Sequence, residues 1–139
     1  MCLYTKSKKP ETAPKDIKVY KVMHVAKTKE LNGETVTYGV PPYFSGYIYV
    51  KGLNKPRTES KPAKETTDSR YYFVEEGYLH AFKDWFHAAK RVACLKYENP
   101  FDDFYIVEMY IPAGTTYYVG DDGDIAASAL YWPVEDKNT

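Results

Sequence analysis

The sequence predicts an α+β fold, a curled and mostly antiparallel sheet of about six or seven strands with one main amphipathic helix over about residues 84–98. Three observations carry that expectation. Fifteen tyrosines in 139 residues favour strands and half-exposed surfaces. Period-two alternation recurs in short runs divided by turn residues. Only one stretch changes to helical spacing. A chain of this length makes about one domain, so residues 1–139 are taken as a single unit.

The elements follow in order. Residues 5–16, rich in Lys, Pro and Thr, read as the body of a mobile or surface-draped N-terminal arm, residues 1–16. "DIKVYKVMHV" is the first clear strand, with Ile17, Val19 and Lys21 on one face and Lys18, Tyr20 and Val22 on the other. "KELNGETVTYGV" is a hairpin, because Asn32 and Gly33 both tolerate positive φ. Pro41-Pro42 stops the ladder, and "YFSGYIYV" is the next strand candidate. Residues 51–70 are polar, without apolar periodicity, and read as one long loop. "YYFVEEGYLHAF" resumes strand character and breaks at Gly77. From Asp84, a natural cap, Trp85, Phe86, Ala88, Ala89, Val92, Ala93 and Leu95 are read as one broad apolar stripe. Pro100 ends the helix. "FYIVEMYIPAGTTYYVG" then gives two strands about an "IPAG" turn, and "GDDGDIAAS" an acidic turn into the last strand region.

Net charge is zero, yet residues 1–70 hold 14 Lys/Arg against 7 Asp/Glu and residues 71–139 hold 5 against 12. The reading preferred for this split is solvation and mutual pairing of the halves, so nucleic acid is not an expected partner. No apolar run reaches the ~18 residues of a membrane helix, and the N-terminal one is too short for a signal peptide. The chain is therefore expected to stay in the cytoplasm of the cell that makes it.

Chemistry-bearing residues are few. His87 and Cys94 lie two helical turns apart, roughly 10 Å, which is too far for a nucleophile–base pair or for shared metal ligation. No metal and no cofactor are expected. An N-terminal Cys2, freed by loss of Met1, would be a self-activated nucleophile, but Leu3 stands where such enzymes carry glycine. Cys2 is read as a buried apolar anchor. "GDDGD", Gly120 to Asp124, lacks the spacing of a calcium loop. His80 is the exception, placed at a strand end just before the helix cap, with Tyr78 and Phe82 on its parity. The expected ligand-binding set is His80, Lys21, Tyr20, Trp85 and Tyr78. It would lie around a helix N-terminus whose free amides suit an anion.

The ordered segments "MCLY", "DIKVYKV", "PPY", "EEGYLHAF", "IVEMYIPAGTTYYVG" and "IAASAL" resemble a group of small accessory proteins encoded by phages of gut Bacteroides, including crAss-like phages. That resemblance implies a phage or mobile-element protein that evades host defence by binding a host protein or a small anionic, nucleotide-like ligand. It would work in the infected bacterial cytoplasm, without catalysis. A virion-associated structural role stays open, as does a homo-oligomer. A more distant likeness is to ADP-ribosyltransferase-like domains acting on NAD. Tyr20-Lys21 would stand at their first strand and Glu108 at their catalytic glutamate, with lysine where they carry arginine or histidine.

Overall fold

A computed structural model describes residues 3–42, 48–68, 70–74, 77–120 and 123–134, without the side chains of 25–29, 31 and 34–36. Cys2, Tyr43, Tyr47 and the two central aspartates of "GDDGD" lie outside the described residues. The fold is α+β, with one helix and fourteen strands among the described residues. Strands of four or more residues are β3 (Ile17–Met23), β4 (Val25–Leu31), β5 (Glu34–Val40), β10 (Leu79–Phe82), β11 (Tyr105–Ile111), β12 (Thr116–Val119) and β13 (Asp124–Ala127). Those are the strands that alternation reveals. The rest are two- and three-residue pieces: β1 (Leu3–Thr5), β2 (Glu11–Thr12), β6 (Tyr49–Val50), β7 (Gly52–Asn54), β8 (Lys64–Glu65), β9 (Tyr72–Val74) and β14 (Leu130–Trp132).

The main sheet has eight strands in the order β2-β12-β13-β10-β3-β11-β14-β7, every pairing antiparallel, and its ends stay open. Two smaller sheets flank it, β1-β9-β8 and β4-β5-β6. The β4–β5 hairpin turns at Asn32 and Gly33, with φ of 50° and 80°, the left-handed conformations that an Asn-Gly pair adopts at little steric cost.

The main sheet buries both faces. One apolar cluster holds Val19, Met23, Leu79, Ala81, Met109, Ile111, Ile125, Ala127, Leu130 and Trp132. These side chains come from five different strands. With Tyr117 and Val119 of β12 packed on the same cluster, the span is six strands and would be about 24 Å if the sheet were flat. The cluster thus runs across six neighbouring strands on one face of the sheet. Tyr49 and Ala13 complete it from outside the central strands. On the opposite face α1 (Trp85–Glu98) packs through Ala88, Val92 and Leu95 onto Tyr20, Val22, Phe82 and Ile106.

Two expectations change. The helical stripe is narrower than the sequence suggested: Trp85 and Phe86 are 58% and 64% exposed, and Ala93 is exposed too. Phe86 and Ala93 lie well over a right angle from the line of Ala88, Val92 and Leu95, so an apolar residue there meets solvent. Residues 51–70 are not one loop, because β7 pairs with β14 and β8 with β9. Buried Asn54 replaces apolar packing with hydrogen bonds, accepting from Val50 N at 2.9 Å and donating to the carbonyls of Val50 and Gly52 at 2.9 and 3.1 Å. The end of the N-terminal arm is held at the β11–β12 turn by backbone bonds. Ala13 N donates to Thr115 O at 2.9 Å, and Gly114 N donates to Ala13 O at 2.8 Å.

Candidate functional site

Strand β3 puts Lys21 on the face that carries the main core. Alternation dictates this: Val19 and Met23, two residues to either side, are fully buried in that cluster. Lys21 is only 8% exposed. Its Nζ donates to the backbone carbonyl of His80 at 2.6 Å and stands 4.9 Å from the centre of the Tyr49 ring. Both partners are neutral. Among the described residues no carboxylate faces the ammonium. Burial therefore disfavours its charge and pulls its pKa from 10.5 down to about 7. At neutral pH this amine is poised between two charge states.

His80 contributes its carbonyl to this place and not its ring. Phe82 pairs with Tyr20 across β10 and β3, so His80, two residues along, points to the Tyr20 side of the sheet. The ring is half-buried there, opposite Ala126 of β13. Lys21 and the His80 imidazole thus lie on opposite faces of one sheet.

The other expected residues scatter around this pair. Tyr78 is buried, donates its hydroxyl to Lys61 O at 2.6 Å, and meets Tyr118 edge-on at 5.6 Å. Burial raises its pKa to about 12, so it stays a neutral phenol that pins the neighbouring segment. Tyr20 packs beneath the helix. Trp85 projects into solvent at the helix start. Glu108 pairs directly with Tyr20 across the ladder, and its carboxylate meets Lys18 Nζ at 3.1 Å on the face away from Lys21. The juxtaposition of Lys21 with Glu108 implied by the ADP-ribosyltransferase likeness is not formed.

The helix N-terminus carries its own anion. Asp84 is the cap, in extended conformation, and its Oδ1 accepts from His87 N at 2.8 Å and meets His87 Nδ1 at 2.7 Å. These bonds hold the Asp84 carboxyl below its ordinary pKa, the bond from the His87 amide first among them. His87 is not a bare surface residue. Its ring packs against Gly123, where an added Cβ would come within 2.8 Å of the imidazole. A carboxylate already occupies one of the amides that were expected to greet a ligand, that of His87.

Sequence reasoning missed Tyr49. Its parity in "YFSGYIYV" was visible, but nothing local signalled that its ring would roof a lysine 28 residues earlier in the chain. Cys94 is exposed on the helix. Among the described residues no three of His, Cys, Asp and Glu gather as metal ligands, and no helix is long and apolar enough to cross a membrane. No family model, curated protein or solved structure matches the chain.

Proposed function

We propose that the chain acts by binding a small anion of the phosphate or nucleotide class at Lys21, as an accessory protein of a phage or mobile element. One observation carries this reading, the buried ammonium held by a neutral carbonyl and a neutral ring with no carboxylate among the described residues. Keeping a charge in such surroundings opposes folding, and an apolar side chain of similar length would fill the same space without that cost. A strongly perturbed group retained at a structural cost is a functional-site candidate. An anion reaching Lys21 would supply the missing charge and compete with the His80 carbonyl for the ammonium protons. The resemblance to phage accessory proteins supports the setting, a host cytoplasm in which nucleotides are abundant.

Titration calorimetry with inorganic phosphate and a panel of nucleotides, at about pH 6 and about pH 8.5, tests it. Only protonated Lys21 attracts an anion, so affinity should rise more than tenfold from the higher to the lower pH. The Lys21→Met variant should fold and lose the binding. No heat with any anion at either pH removes the reading, as does a Lys21→Met protein that binds as before.

A further inference from the structure

The small β1-β9-β8 sheet carries a second feature, independent of Lys21. A hollow of about 360 Å³ opens on it, lined by Tyr4, Thr66, Thr67, Asp68 and Tyr71. That volume lies at the small end of the range for ligand pockets, about 300–1,000 Å³. Its shape is held by a dense local network. The Thr66 hydroxyl lies 2.7 Å from Asp68 O and 2.9 Å from Tyr71 O, and accepts from Asp68 N at 3.1 Å. Tyr71 N donates to Asp68 O at 3.1 Å. Arg70 grips the Asp68 carboxylate with Nε and a terminal nitrogen, at 3.1 and 3.0 Å. Tyr4 is 56% exposed, and its ring is propped on Phe73 at 5.2 Å between centres.

We infer that this hollow is a subsite for a neutral polyhydroxylated ring, a mono- or disaccharide. Tyr4 offers an aromatic face for the C–H side of a sugar, held in place by Phe73 and so already ordered before binding. Asp68 retains acceptor capacity for hydroxyls, and its ion pair with Arg70, a residue outside the lining, offsets its charge. Thr67, exposed at the rim, adds a hydroxyl that can both donate and accept. A nucleotide fits this chemistry less well: no cation lines the hollow, and the nearest in sequence, Arg70, is already committed to Asp68. A lipid fits less well still, because the polar groups would be left without partners.

Saturation-transfer NMR with glucose, galactose, N-acetylglucosamine and their disaccharides provides the test, with adenosine and AMP as competitors. At least one saccharide should receive saturation, and its contact protons should be those of one ring face. Tyr4→Leu keeps an apolar prop on Phe73 but removes the aromatic face, and should weaken binding by tenfold or more with an unchanged Tm. Thr67→Ala, at an exposed position, should weaken it severalfold. Absence of saturation with every sugar overturns the inference, and so does displacement of a bound sugar by adenosine at equal concentration. Lys21→Met should leave sugar binding intact, which separates this site from the anion site.

Discussion

Lys18 and Lys21 stand three residues apart on β3 and meet opposite fates. Lys18 faces out, pairs with Glu108 at 3.1 Å, and has its pKa raised by that hydrogen bond and charge. Lys21 faces in, meets a carbonyl and a ring, and has its pKa lowered to about 7 by burial. The same side chain on the same strand differs only in parity. The comparison teaches that the sheet's two faces are different solvents, and that a lysine placed in the drier one costs stability unless something anionic joins it.

The largest effect should come from removing the inward charge. In the unfolded chain Lys21 titrates near 10.5 and in the folded one near 7. Between those values the unfolded state binds the extra proton, so stability rises with pH across the window. Below about pH 7 both states are protonated and the full penalty applies, on the order of 5 kcal/mol for a shift of this size. Lys21→Met should therefore stabilise the protein by several kcal/mol near pH 6, and by progressively less toward pH 10. Urea denaturation at three pH values checks this. A variant equally or less stable at pH 6 would break the comparison, since the ammonium would then have a hidden partner.

The parity that sets these fates was legible in the sequence, as was much of the frame around it. "DIKVYKV" and "YIVEMYI" alternate cleanly because each buries one face under the main cluster and the other under the helix edge. Asn32-Gly33, the Asp84 cap and the helix end before Pro100 were legible for local steric reasons. The short strands were not. Gly52–Asn54 and Lys64–Glu65 are fixed by partners 76 to 80 and seven to nine residues away in sequence, through backbone bonds that any side chain permits. Of the site, Lys21 and His80 were legible as neighbours, but not that His80 would offer a carbonyl. Strand register decides that, and register is a property of pairs.

A smaller effect should appear at the helix start, the place where an incoming anion was expected and a resident one is found. Asp84→Ala removes the acceptor for the His87 amide and its ring nitrogen together. The Tm should fall measurably at neutral pH. The contribution should be present above the ordinary carboxylate pKa and fade only as pH drops below 3.8, because the folded-state pKa is the lower of the two. Asp84→Asn, which still accepts from the amide, should recover most of the loss. If it recovers none, the charge on the dipole outweighs the hydrogen bond.

The smallest effect sharpens the comparison from the outward side. Lys18 and Glu108 both keep about half of their side-chain surface in water, 48% and 58%. Solvent and salt screen such a pair, and holding two long side chains together offsets most of the attraction. Lys18→Met should leave the Tm within error in moderate salt, and Glu108→Gln should do the same. Carrying out Lys18→Met and Lys21→Met side by side, under one buffer, isolates the influence of the face. A lysine lost from the outer face should be nearly silent, and one lost three residues on should be the most stabilising single change on the strand. Equal responses would mean that the two faces are equally wet, and the case for an anion at Lys21 would lose its physical ground.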